Sequence, residues 1–151
     1  MNAINIYRVA FFLHKHRIPL LPRLLKNLIF LLFNSVVPYT CVIGPESRFA
    51  YGGIGVVLHG RCKIGRKVIL GQGITIGRKL DPEGVPVIGD DVYIGAGARI
   101  LGGVKIGNNV IIGANAVVVD DVPDNSIAAG APAKVVRKID GPVYDLLKNI
   151  Y

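Results

Sequence analysis

The chain has 151 residues, enough for one domain with a short arm and too few for two full domains. Hydrophobic residues make up 51% and charged residues 19%, which excludes a disordered chain, and two cysteines exclude a disulfide scaffold. The net charge is +8, but no basic stripe carries base-stacking aromatics, so no nucleic-acid partner is expected. No charged, apolar and cleavage-site regions follow one another at the start as in a secretory leader, and a cytoplasmic location is the expectation, with membrane association as the variant.

Residues 1–40 read as a helical N-terminal arm. Ile4 to Leu13 is apolar, Pro19 and Pro22 interrupt the pattern, and Pro22 suits the start of a second helix running to Phe33. The apolar run from Leu28 to Phe33 is too short to cross a bilayer. Arg8, Lys15, Arg17, Arg23 and Lys26 lie in the first 45 residues without any acid; Glu46 is the first. Packing onto the rest of the molecule or a neighbouring subunit is the expected role of this arm, and peripheral contact with an anionic membrane is the alternative.

Residues 41–122 carry a repeat. Aliphatic residues fall at Leu58, Ile64, Leu70 and Ile76, and again at Ile88, Ile94, Ile100, Ile106, Ile112 and Val118. The step is six, and the interval from Ile76 to Ile88 is two steps, so phase is kept. Two positions earlier comes a small or β-branched residue, such as Cys62, Val68 or Ala98, and glycine follows the aliphatic in most hexads. A period of six fits neither a helix nor an alternating strand. It fits a short strand and a corner, three of which close a triangular coil; stacked coils form a parallel β-helix with small residues inside. Residues 123–151 leave the pattern: loop through Gly130-Ala131-Pro132, extended from Ala133 to Ile139, then weakly helical from Val143 to Tyr151.

The run "VIGDDVYIGAGARILGGVKIGNNVIIGANAVVVDDVP" followed by "AAGAPAKVVRKI" resembles the hexapeptide-repeat acyltransferases, over roughly residues 41–138. The resemblance implies an all-β fold, a left-handed parallel β-helix with a short helical N-terminal arm and a C-terminal tail. It implies a homotrimer with active sites between subunits and acetyl-CoA, or another acyl-CoA, as donor, with no metal required. Serine acetyltransferases and the sugar O-acetyltransferases of polysaccharide biosynthesis are the most similar branches. The former carry His-Ala-Thr-Gly where this chain has "AYGGIG", Ala50 to Gly55, and a loop histidine where it has "RKLDPEGVPV", Arg78 to Val87. The expected acceptor is therefore a sugar or glycan precursor. Serine O-acetylation in cysteine biosynthesis and sugar N-acetylation are the alternatives, and a non-catalytic β-helix module is more remote.

Acyl transfer to a hydroxyl needs a base, an oxyanion donor and aligned substrates. His59 is the only histidine of the repeat region. It occupies a corner that most hexads give to glycine, and the family's base is a histidine at the subunit boundary, so His59 is the candidate catalytic base. Glu46, Asp81 and Glu83 are possible partners, a backbone carbonyl equally so, and none is assigned. "IGAGA" and "IGANA" lie eighteen residues apart, one coil above the other. The resemblance maps CoA backbone contacts to Ala96 and Ala114, and the basic tail contacts to Lys134 and Arg137; Arg78 and Lys79 are weaker candidates. Cys62 reads as a small core residue, and direct attack rather than an acyl-enzyme is expected. Asp90-Asp91 and Asp120-Asp121 read as equivalent solvated turns. A γ-class carbonic anhydrase, which shares this coil, would need three histidines around zinc.

Overall fold

The computed structural model describes residues 1–80 and 83–148. Two antiparallel helices open the chain, α1 (Ala3–Lys15) and α2 (Leu21–Phe33), with Pro22 in the first turn of the second. Twelve short strands then wind the coil: β1 (Val42–Ile43), β2 (Arg48–Phe49), β3 (Val57–Leu58), β4 (Lys63–Ile64), β5 (Ile69–Leu70), β6 (Thr75–Gly77), β7 (Val87–Ile88), β8 (Val92–Ile94), β9 (Arg99–Leu101), β10 (Lys105–Ile106), β11 (Val110–Ile112) and β12 (Val117–Val118). The chain ends with β13 (Ser126–Gly130), β14 (Ala133–Lys138) and α3 (Val143–Leu147).

Every third strand joins the same sheet, which makes a three-sided parallel β-helix. The first sheet runs β1-β4-β7-β10, the second β2-β5-β8-β11-β13-β14 and the third β3-β6-β9-β12. Ile94 sits on Ile112, and Ile76 on Ile100. The aliphatics of the repeat and the small residues two places before them are buried, so each side contributes two inward positions to one continuous core.

The repeat starts one coil earlier than its spacing suggests. Ile43 and Phe49 are already inward, but a tight 3-10 segment, Ala50–Gly53, adds three residues before β3 and shifts the phase. Cys41 is thereby an inward residue of the first coil, with its thiol 3.4 Å from the Cys62 carbonyl of the next. The two-step interval after Ile76 is not a side of the triangle. Among the described residues Arg78–Leu80 and Glu83–Val85 leave the coil between β6 and β7, and β6 stacks directly on β9. The expected loop beyond Val122 is also replaced. Ser126–Gly130 pairs in parallel with β11 as the last strand of the second sheet, and β14 folds back antiparallel onto it. The register places Val110 opposite Ser126, so this coil is two residues shorter and the count of six is lost although burial still alternates.

The glycines that follow the aliphatics answer to two of the three corners. A Cβ at Gly44, between the first and second sheets, would lie 2.5 Å from the backbone of Gly65 in the next coil. One at Gly95, between the second and third, would lie 2.6 Å from the Ala114 nitrogen. On the third-to-first corner the place directly after the aliphatic is open, since a Cβ at Gly77 meets nothing closer than 4.0 Å, whereas one at Gly60 would lie 2.6 Å from Thr40 Oγ1.

Side chains also bond the stacked first-to-second corners. The Arg66 N–H donates to Asp90 Oδ1 at 2.9 Å, Asp90 N–H to Asn108 Oδ1 at 2.8 Å, and Asn108 N–H to Asp124 Oδ1 at 2.7 Å. Asp90 is thus equivalent to Asn108 and Asp124. Asp120-Asp121 lie on the third-to-first corner instead, where Asp121 accepts the Lys105 N–H, because thirty residues are a full coil plus two sides.

The helical arm closes the open end of the coil. The Tyr7 hydroxyl donates to the Cys41 carbonyl at 2.5 Å and accepts from Ile43 N–H at 3.1 Å; Arg8 donates to the Ile43 and Gly44 carbonyls. These bonds satisfy first-coil groups that have no coil beneath them. Ala3, Ile4, Tyr7, Ile29 and Phe33 extend the core into the arm. At the C-terminal side Asn109 holds the Gly141 carbonyl and the Val143 N–H, docking α3 beside the coil.

Candidate active site

His59 follows β3 on the third-to-first corner, half-buried, with its N–H on the Ile76 carbonyl at 2.8 Å. The equivalent positions in later coils are Gly77, Leu101 and Val119, so this corner accepts side chains and His59 does not displace a sterically required glycine. The Arg61 backbone N–H donates to His59 Nδ1 at 3.2 Å. Neutral imidazole then carries its proton on Nε2. In that tautomer the outer nitrogen is a donor; proton abstraction at Nε2 requires the proton to pass to Nδ1 and the Arg61 bond to open.

The loop after β6 leaves from the same corner, one coil further along. Glu83 on this loop meets the Arg61 guanidinium at 3.3 Å, and both groups are well exposed. Such a pair contributes little stability, about 0–1 kcal/mol, but it ties the loop to the His59 turn. Of the three acids considered as partners for the histidine, Glu83 is thus engaged by Arg61, and Glu46 lies near Lys67 on another corner. Asp81 falls outside the described residues.

An open groove of about 450 Å³ runs along this corner between Lys79 and Glu83 on the loop and Val119, Asp120 and Asp121 on the last coil. Lys134, from β14, reaches Asp120 at 3.3 Å. The groove therefore has Lys134 at one end, and Glu83 ties its other side to the His59 turn through Arg61, while His59 itself does not line it. Arg78 and Lys79 belong to a neighbouring recess of the loop with Leu80 and Glu83.

The other CoA candidates lie elsewhere. Ala96 and Ala114 stack on the second-to-third corner, at the opposite edge of the third sheet from His59, with Asn115 N–H donating to the Ala96 carbonyl at 2.8 Å. Gly97 and Asn115 close these turns in the left-handed region, with φ of 70° and 56°, which glycine and asparagine adopt most readily. Arg137 pairs with Ile127 on the second sheet, away from the groove. A separate cleft of about 350 Å³, lined by Glu46, Arg48, Lys67, Ile69 and Tyr144, contains none of the CoA candidates and, of the acids considered for His59, only Glu46.

Two features had no sequence signal. The Arg61–Glu83 pair spans 22 residues and depends on the loop turning back. Tyr51, 68% exposed on the same corner as Ala96, has a φ of 49° that non-glycine residues rarely adopt. Among the described residues no group of three His, Cys, Asp or Glu side chains could hold a metal ion.

The thiols are inert packing groups. Burial first, then Cys62, pushes Cys41 up to about 12, and burial pushes Cys62 up to about 11 against the weaker opposing pull of the His59 backbone. Neither supplies thiolate at neutral pH.

Comparison with known proteins agrees with this architecture. The family described as "Bacterial transferase hexapeptide (six repeats)" matches residues 86–120. The serine acetyltransferase of Helicobacter pylori strain J99 is 37% identical over 140 residues, covering 91% of this chain and 81% of that protein. Among solved structures, soybean serine acetyltransferase complexed with serine superposes with a TM-score of 0.81 at 36% identity, covering 89% of this chain. Serine acetyltransferase in complex with coenzyme A from Brucella abortus strain S19 superposes at 0.85 with 28% identity, covering 91%. The chain spans 56% of the length of each of these two solved chains. It belongs to the hexapeptide-repeat acyltransferase family, and its coil is the left-handed parallel β-helix of that family. The relatives that establish this membership are serine acetyltransferases.

Proposed function

We propose that this protein transfers an acetyl group from acetyl-CoA to the hydroxyl of a small acceptor, without a metal. The observation that carries this reading is the coil itself, shared with serine acetyltransferases along nine-tenths of the chain, with the one histidine of its repeat facing outward on a corner. Serine is the acceptor supported by those relatives. A sugar or glycan hydroxyl is the second reading. It is supported by the absence of histidine both at Ala50–Gly55 and among the described residues of the loop after β6.

His59 is the candidate base. Its imidazole takes the hydroxyl proton as the hydroxyl oxygen attacks the thioester carbonyl. The tetrahedral oxyanion then collapses, and the CoA thiolate leaves and takes a proton. The Arg61 N–H holds the ring in place at Nδ1, and for Nε2 to take the hydroxyl proton the ring's own proton passes to Nδ1 as that bond opens. Ala96 and Ala114 present backbone bare of bulky side chains, suited to the pantetheine arm, while Lys134 and Arg137 suit its phosphates. Since the alanines and His59 border opposite edges of the third sheet, a single site is completed when one subunit's alanine edge faces its neighbour's histidine edge. A homotrimer provides that arrangement. Release of free thiol from acetyl-CoA with L-serine and with a sugar panel tests the reading, and no acceptor-dependent release would overturn it.

A further inference from the structure

The arm that closes the coil presents a second, outward face. Pro22, Ile29 and Phe33 of α2 are buried. Leu21, Leu24, Leu28 and Leu31 recur at three- and four-residue spacing on the side away from them, and are exposed; Leu24 is 61% and Leu31 78% exposed. Leu20, at the tip of the hairpin, is 75% exposed. Such a contiguous stripe is not the scatter of single apolar residues common on protein surfaces.

The same tip carries Lys15, Arg17 and Arg23, all exposed. Among the described residues none of the three forms an ion pair. No acidic residue precedes Glu46, so the cations are not offset within the arm. Arg17 and Arg23 flank a cleft of about 330 Å³ that opens beside Leu20. Two copies meeting through this face would bring six like charges together. A surface of anionic headgroups over hydrocarbon matches both the leucines and the cations. No described helix is long and apolar enough to cross a membrane, so the hairpin would lie in the interface.

We propose that the α1–α2 hairpin docks the enzyme on an anionic lipid surface, with the α2 leucine stripe entering the interface and Lys15, Arg17 and Arg23 on the headgroups. This inference is independent of the acceptor.

The test is sedimentation of the full-length protein with phosphatidylcholine vesicles, with and without about one-third phosphatidylglycerol. The protein is expected to pellet with the anionic vesicles and to be released in part as salt is raised to about 0.5 M, which shortens the screening length. Leu24→Gln/Leu31→Gln is expected to weaken binding at least tenfold at both salts. Arg17→Gln/Arg23→Gln is expected to remove the salt-sensitive part. Unchanged circular dichroism and solution mass confirm that each variant folds and assembles. No pelleting of the wild type with anionic vesicles, or undiminished pelleting of the leucine variant, would overturn the proposal. So would a fall in solution mass of the leucine variant, which would make the stripe an interface between copies.

Discussion

Gly77 and Gly95 both follow a buried isoleucine and look identical in the repeat, yet alanine at the two positions is expected to act in opposite directions. At Gly77 the new methyl meets only Thr75 Cγ2, at 4.0 Å. The backbone there is not left-handed, so alanine mainly restricts the unfolded chain and stabilises by about 0.4–1 kcal/mol. At Gly95 the methyl falls 2.6 Å from the Ala114 nitrogen and 2.9 Å from its Cα. Ordinary contact needs about 3.5 Å, so the next coil must lift. Lifting stretches the Gly95 N–H bond to Ile112 O and the Asn115 N–H bond to Ala96 O, both 2.8 Å. Two hydrogen bonds stretched at about 0.5 kcal/mol each, with overpacking of about 1–3 kcal/mol, give a loss of roughly 2–4 kcal/mol. For a chain of this size that lowers Tm by roughly 5–15 °C. Thermal unfolding followed by circular dichroism, at fixed protein concentration because assembly shifts Tm, reads the difference. Equal losses at both positions, or no loss at Gly95, would refute the stacking argument and with it the reason His59 is tolerated on its corner.

Other consequences concern buried polar groups and the arm. The Ser35 hydroxyl donates to Gly53 O at 2.5 Å and accepts from Val56 N–H at 2.9 Å, fully buried, so Ser35→Ala should cost about 1–3 kcal/mol in urea unfolding. Less than about 0.5 kcal/mol would show that water replaces it. Asn108→Asp should be tolerated, since Asp90 and Asp124 do the same work on their coils, whereas Asn108→Ala should lower the urea midpoint; equal midpoints would deny the corner ladder a role. Burial, with a further contribution from Cys41, pushes Tyr7 from 10.0 up to about 12, and the two thiols rise from 9.0 to about 12 and 11. The unfolded chain ionises these groups first, so their stabilisation is complete below pH 9 and is lost as pH rises towards about 12. A urea midpoint constant from about pH 8.5 to 10.5 would contradict that placement.

The coil was legible in the sequence because its inside admits only aliphatic and small side chains, and these recur every six residues from Leu58 to Val118. It was obscured where the chain departs from six without losing burial: at the three residues inserted in Ala50–Gly53 and in the shortened coil before Ser126. His59 stood out by its chemistry, but the inference from glycine replacement assumed equivalent corners, and only stacking distances show that its place, shared with Gly77, is free. Its surroundings were not legible. Arg61 and Glu83 meet through a loop whose path no periodicity describes, and the separation of His59 from Ala96 follows from counting sides in three dimensions.

The most direct measurement is acceptor-dependent thiol release from acetyl-CoA by wild type, His59→Ala and His59→Gln, across pH. If His59 is the base, both variants should lose about 10²–10⁴-fold in kcat with a serine or sugar acceptor. Glutamine keeps a hydrogen-bond donor without a titrating proton, so near-wild-type turnover in His59→Gln with loss only in His59→Ala would make His59 a donor and place the base elsewhere. Full activity in both would remove His59 from the reaction.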